Sequence, residues 1–180
     1  IIFKGSRYAE GLDRLLYRCP KCGSEFEMSS SGSHLKCNRC GNDVVYGYDG
    51  RLVPQGDGVC PERIDLWYDE QRALVAKEVQ NGDFKLSNTC LLYTSERPVG
   101  VKSKYGVNNM SLDFDTANGT EKVEDEFKHV EFAVSRCDTV ANLPGSAVDM
   151  YDDKHVYRFM FDKVMAAKKY ALCIEEAYKL

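Results

Sequence analysis

Two Cys-x-x-Cys pairs, Cys19-Pro20-Lys21-Cys22-Gly23 and Cys37-Asn38-Arg39-Cys40-Gly41, constrain what this chain can fold into more than any other feature it carries. Pairs at this spacing bring four thiolates together tetrahedrally around one ion, the pattern of a structural Zn²⁺ site. Two residues between paired cysteines make a tight turn that aims both sulfurs at one point. A glycine directly after the second cysteine can take the positive φ that such turns need. The intervening segment reads as a hairpin: Glu25-Phe26-Glu27-Met28 alternates, Ser29 to Ser33 with Gly32 is turn-like, and His34-Leu35-Lys36 returns. Val44-Val45-Tyr46 supplies a third strand. Residues 16–54 therefore read as a rubredoxin-like zinc ribbon, with Cys19, Cys22, Cys37 and Cys40 as ligands. Its few apolar residues cannot hold it alone, so metal binding carries much of its folding free energy, roughly 10 kcal/mol in small zinc modules.

Other roles for these cysteines fit less well. Two disulfides belong to an oxidising compartment, and neither a signal peptide nor a regular pattern in Cys60, Cys90, Cys137 and Cys173 points to one. A redox Cys-x-x-Cys needs one pair opening a helix, whereas here two pairs each end in glycine. His34 could replace a ligand, but four cysteines already fill the shell, which leaves it as an exposed strand histidine. The remaining cysteines read as small buried hydrophobes.

Composition narrows the function classes. With 43% apolar and 29% charged residues the chain is globular rather than disordered, and no run of about 18 apolar residues could span a bilayer. A net charge of −4 gives no broad basic face, so nucleic-acid binding is not expected. The first 51 residues carry eight cations against six carboxylates, an excess of two that fits a mixed solvated surface. The chain opens on Ile1-Ile2-Phe3 without an initiator Met, which suggests a piece of a longer protein with another domain ahead of it.

Residues 1–15 form a docking segment in which Tyr8, Leu12, Leu15 and Leu16 suggest a short helix over Ser6–Leu16. Asp49-Gly50 is a hairpin turn, and Gln55-Gly56-Asp57-Gly58 is a loop or boundary. Residues 55–180 read as a second, antiparallel β domain. It begins with a helix over 65–80, N-capped by Asp65 and closed by Asn81-Gly82, on which Trp67 and Tyr68 are core filling more often than a ligand site. Alternating strands then follow at Phe84–Leu86, Cys90–Thr94, Met110–Phe114, Val130–Val134, Val148–Met150 and Tyr157–Phe161. Turns separate them at Asn108-Asn109, Asn118-Gly119, Asn142-Leu143-Pro144-Gly145 and Asp152-Asp153. A helix over 162–179 closes the chain, with Val164, Ala167, Ala171, Ile174 and Tyr178 on one stripe and Lys168 and Lys169 opposite. The expected class is α+β: a zinc ribbon, then an antiparallel β-barrel or sheet with a C-terminal capping helix, pleckstrin-homology-like by analogy.

No catalytic constellation emerges. His34, His129 and His155 are followed five residues on by Arg39, Val134 and Met160, so the His-x-x-x-x-Asp pattern of acyl transfer is missing. So are Gly-x-Ser-x-Gly, the phosphate-cradling glycine loop and His-Glu-x-x-His. Asp149, Asp152 and Asp153 read as a solvated turn. No catalytic and no cofactor-binding residue other than the metal ligands is assigned.

Several stretches resemble a known family: Phe3-Lys4-Gly5-Ser6-Arg7-Tyr8 to Leu12, Tyr17-Arg18-Cys19-Pro20-Lys21-Cys22-Gly23-Ser24-Glu25, Cys37 to Asn42, Trp67-Tyr68-x-x-Gln71-Arg72-x-x-Val75, and Lys169-Tyr170-Ala171-Leu172-x-Ile174-Glu175-Glu176. Together they look like the C-terminal extension of bacterial phospholipid/glycerol acyltransferases of the 1-acyl-glycerol-3-phosphate type. The resemblance implies a cytoplasmic parent enzyme of phospholipid biosynthesis, peripheral on the inner face of the membrane, whose catalytic His and Asp lie upstream. This chain would be its non-catalytic accessory domain, regulatory or orienting, with the upstream domain and a membrane surface as partners. The alternative function is a zinc-ribbon adaptor for nucleic acid or a protein partner.

Overall fold

The computed structural model describes residues 5–96, 106–115, 120–124, 129–133, 140–143, 146–151 and 154–180. Contacts group the chain into two units, Ile1–Leu74 and Val75–Leu180. The division lies beyond the Pro54 border drawn from the sequence, because Trp67 and Gln71 bond to the segment just ahead of Cys19.

In the first unit β1 (Met28–Ser31), β2 (His34–Cys37), β3 (Asp43–Tyr46) and β4 (Leu52–Pro54) form a four-stranded antiparallel sheet in sequence order. The first hairpin is displaced from its expected position. Pairing runs from Met28↔Cys37 to Ser31↔His34, so the serines are strand and the turn is confined to Gly32-Ser33. The cause is Phe26, which sits in the left-handed region at φ 62°, donates its N–H to the Tyr17 carbonyl (2.8 Å) and stacks on the Tyr17 ring. That conformation interrupts the alternation that Glu25-Phe26-Glu27-Met28 promised. Asp49-Gly50 does join β3 to β4, with Gly50 at φ 82°. The helix expected over Ser6–Leu16 is reduced to a 3₁₀ turn, Leu12–Arg14, since Gly11 at φ 85° stops any continuous helix. Ala9, Leu16, Tyr17, Met28, Leu35, Val44, Leu52 and Trp67 make the apolar core.

Helix α1 (Ile64–Gln80) begins one residue earlier than expected, so Asp65 lies inside its first turn, paired with Arg63, rather than capping it. Of its residues, Trp67, Gln71, Val75 and Val79 are buried, while Leu74 stays exposed. Gly82 (φ 71°) closes the helix by donating to the Val79 carbonyl (3.1 Å).

The second unit is an antiparallel sheet in the order β8-β7-β6-β5-β11-β10-β9. Its strands are β5 (Lys85–Glu96), β6 (Gly106–Asp115), β7 (Thr120–Glu124), β8 (His129–Ala133), β9 (Ala141–Leu143), β10 (Ala147–Tyr151) and β11 (His155–Phe161). Among the described residues no ladder joins β8 to β9, so the sheet is open and the expected barrel does not close. Asn108-Asn109 is not a turn either, since both residues pair within β6 against Leu92 and Leu91. The turn at Asn142-Leu143 is instead strand β9; Asn118-Gly119, Pro144-Gly145, Asp152-Asp153, Val134 and Cys137 lie outside the described residues.

Helix α2 (Ala166–Ala177) packs against β9, β10 and β11, through a wider face than its expected stripe. Val164 and Tyr178 are exposed. Lys169, placed on the solvent side by its spacing, is buried, with its ammonium 3.2 Å from Glu78 and 5.4 Å from the centre of the Phe84 ring. Tyr170 stacks on Phe161 and donates its hydroxyl to the Leu86 carbonyl (2.9 Å). Asp149 is a further correction. It is buried and accepts a bidentate pair of hydrogen bonds, both 2.7 Å, from Arg158, its ladder partner on β11. A carboxylate satisfied in this way sits in a strand without needing a solvated turn.

Candidate metal centre

The two cysteine pairs fold into loops with the same backbone pattern. In the first, Cys19 N–H donates to the Ser24 carbonyl (2.9 Å) and Gly23 N–H to the Cys19 carbonyl (2.9 Å). In the second, Cys37 N–H donates to the Asn42 carbonyl (2.8 Å) and Gly41 N–H to the Cys37 carbonyl (2.9 Å). Gly23 and Gly41 have φ of 71° and 72°, so the conformation that asks for glycine is the same in both. Hydrogen bonds to sulfur repeat as well: amides of Lys21 and Cys22 serve Cys19, those of Arg39 and Cys40 serve Cys37, that of Ser24 serves Cys22 and that of Asn42 serves Cys40.

All four sulfurs lie within 4.8 Å of one another. Cys19 and Cys40 are 3.7 Å apart and Cys22 and Cys37 3.9 Å. A tetrahedron with metal–sulfur bonds of about 2.3 Å has edges near 3.8 Å, so the cluster has the dimensions to hold a metal ion. A disulfide needs about 2.05 Å, and Cys19, Cys22, Cys37 and Cys40 are free thiols. Cys19 and Cys37 are buried; Cys22 and Cys40 are exposed.

The thiols are not equivalent. Burial pushes Cys19 up to about 12. The Ser24 hydroxyl, 3.0 Å from Cys22 Sγ, and the Ser24 amide bring Cys22 down to about 6. For Cys37 burial is the largest influence and acts upward, yet the Ser24 hydroxyl and two amides outweigh it and the thiol is lowered. For Cys40 the Asn42 amide and Cys19 pull downward, but burial and the Cys22 and Cys37 thiols leave it raised. Donors aimed at sulfur favour the thiolate, which is the ligand form. A positive charge stands nearby: Lys21 feels Cys19 and Cys40 and is held by Asp57 at 2.7 Å.

Comparison with protein-family models, curated proteins and solved structures gives no match to this chain.

The structure brings together all four ligands expected from the sequence. His34 is not among them; it is exposed on β2, with Nδ1 2.9 Å from Asp43 Oδ1. His155 stands edge-on to Tyr157 in β11, at 5.9 Å. Trp67 is core, donating Nε1–H to the Arg18 carbonyl (2.9 Å). Tyr68 lines a shallow groove of about 450 Å³ floored by Leu15, Tyr46 and Ile64, where Arg63 and Asp65 neutralise each other. Three buried polar residues at the centre, present in the stretches quoted above, were given no role by the sequence reading. Ser24 places its hydroxyl 3.0 Å from Cys22 Sγ and 3.5 Å from Cys37 Sγ. Asn42 clamps Val59, donating to its carbonyl (2.9 Å) and accepting from its N–H (2.7 Å). Gln71 accepts from Arg18 N–H (2.9 Å) and donates to the Leu15 carbonyl (3.1 Å). Ser24 and Asn42 occupy matching positions in the two loops, two residues after the second cysteine, and that was the available signal.

Proposed function

We propose that this chain is a non-catalytic accessory module in which Cys19, Cys22, Cys37 and Cys40 bind one structural Zn²⁺, completing a zinc ribbon. The observation that carries the reading is the matched pair of loops, which aim four sulfurs at one point and supply each with backbone donors. Thiolate-only tetrahedral sites suit zinc, an ion with no redox chemistry of its own. The metal would supply cross-linking, and the ribbon would present a rigid surface ahead of α1. The sequence resemblance supports a parent acyltransferase that this module regulates or orients at lipid. No described helix is long and apolar enough to cross a membrane.

Two measurements test the reading. Elemental analysis of the purified chain should give stoichiometric zinc, and the complete reading frame should transfer acyl groups from a thioester to lysophosphatidate only with the four cysteines intact. Metal-free folded protein would overturn the zinc assignment. Product formed by this chain alone, or a reading frame without an upstream His-x-x-x-x-Asp segment, would overturn the accessory role.

A further inference from the structure

All four sulfurs lie within 4.8 Å of one another, and the two pairs in hydrogen-bond geometry each cross from one loop to the other and join one exposed and one buried cysteine: Cys40 with Cys19 at 3.7 Å, Cys22 with Cys37 at 3.9 Å. An oxidant arriving from solvent meets Cys22 or Cys40 first. The buried sulfur in hydrogen-bond geometry with each of them lies on the opposite loop, which places it to resolve the product.

We propose that the centre is a peroxide-reactive site which exchanges its metal for two disulfides, Cys19–Cys40 and Cys22–Cys37. This rests on the zinc reading for the metal, though not for the pairing. The exposed thiolate attacks one peroxide oxygen and becomes a sulfenic acid, and the other oxygen leaves as water. The buried thiolate then attacks that sulfur, forming the S–S bond and expelling the second water. Each pair gives up two electrons to one peroxide. Overall, the Zn²⁺ tetrathiolate, two H₂O₂ and four protons yield free Zn²⁺, two disulfides and four waters.

The cross-loop connectivity has a structural consequence. Disulfides within each Cys-x-x-Cys would leave the two loops untied once the metal departs. Disulfides between the loops replace one clip by another, so the oxidised ribbon keeps its fold, and thiol reductant with zinc restores the starting state.

The sequence makes the test direct. Arg18, Lys21, Lys36 and Arg39 flank and divide the pairs, so trypsin places each of the four cysteines on a different peptide. The zinc-loaded chain is titrated with hydrogen peroxide, released zinc is read with a chromophoric chelator, and the denatured product is digested without reduction and weighed by mass spectrometry. Two equivalents of peroxide should release the zinc. Peptide 19–21 should then be joined to 40–51 and peptide 22–36 to 37–39, with zinc uptake recovered after dithiothreitol. Linkage of 19–21 to 22–36, zinc retained at that dose, or sulfinic acid as the main product would overturn the proposal. Should the purified chain carry no zinc, the zinc reading fails by itself, and the same digestion of the metal-free protein still decides the pairing.

Discussion

Replacing Gln71 tests whether the metal loops are held from outside. Its side chain is 1% exposed and makes both of its bonds to the segment that delivers Cys19, to Arg18 N–H at 2.9 Å and to the Leu15 carbonyl at 3.1 Å. Gln71→Ala removes the partner of both and leaves a part-buried donor and a part-buried acceptor unmatched, at about 1–3 kcal/mol each. Water entering the vacated space relieves part of this, so about 2–4 kcal/mol is expected, a large fraction of the stability of a small domain. Gln71→Met keeps the volume and strands the same two groups, so it should cost nearly as much. Exposed Glu70→Ala on the same helix should stay within about 0.5 kcal/mol. Trp67 is the only tryptophan and donates to the Arg18 carbonyl, so its fluorescence during denaturant unfolding reports this contact. Because Arg18 directly precedes Cys19, the loss should also weaken zinc binding in a chelator competition, by about tenfold for each 1.4 kcal/mol that falls on the bound state. If both Gln71 variants unfold with the parental midpoint and slope, the reasoning is wrong.

Two further outcomes follow from the centre and its neighbouring loop. Zinc affinity should rise with pH: burial holds Cys19 protonated up to about 12, and Cys40 is raised as well, so metal binding must release protons across the whole neutral range. Competition at pH 6.5, 7.5 and 8.5 should show about a tenfold gain or more per unit, and a flat profile would refute the assignment of protonated ligands. Gly58→Ala should be costly, since a Cβ there would lie 2.8 Å from the Asp43 and Gln55 carbonyl oxygens, both backbone atoms. A loss of about 1–3 kcal/mol is expected by thermal or chemical unfolding. Gly56→Ala, where nothing lies within 4 Å and only φ 59° resists, should cost about 1 kcal/mol. The reverse order would show that the loop is not pressed against Asn42.

What could be read from the sequence was what depended on periodicity or spacing. The cysteine ligands, the α1 helix and strands β3, β5, β6, β8, β10 and β11 announce themselves by ligand spacing, by helical repeat or by alternation. Strand β7 did not, because Thr120-Glu121-Lys122-Val123-Glu124 carries one apolar residue and is a strand by virtue of its two ladders. Strand β9 has three residues, too few to show a period. The displaced hairpin depends on Phe26 adopting a left-handed φ, and an aromatic residue gives no warning of that. Lys169 was misplaced because spacing alone assigns a lysine to solvent, whereas here Glu78 and Phe84 receive its ammonium. Barrel closure was overestimated for a similar reason: strand count is local, but closure depends on whether the first and last edges meet.

The buried polar residues of the first unit show how the centre is built. Apart from the ligands, the polar side chains buried there among the described residues are Ser24, Asn42 and Gln71, and each bears on a ligand loop. Ser24 lies between two sulfurs, Asn42 ties the second loop to Val59, and Gln71 fixes the backbone leading into the first. Burying an amide or hydroxyl costs free energy unless it is matched, and matched groups enforce one geometry where apolar packing would tolerate several. A tetrahedral site needs that narrowness, because four sulfurs must arrive at separations near 3.8 Å before the ion can bridge them. The three residues therefore hold the ligand loops in the one arrangement that a bound ion would bridge.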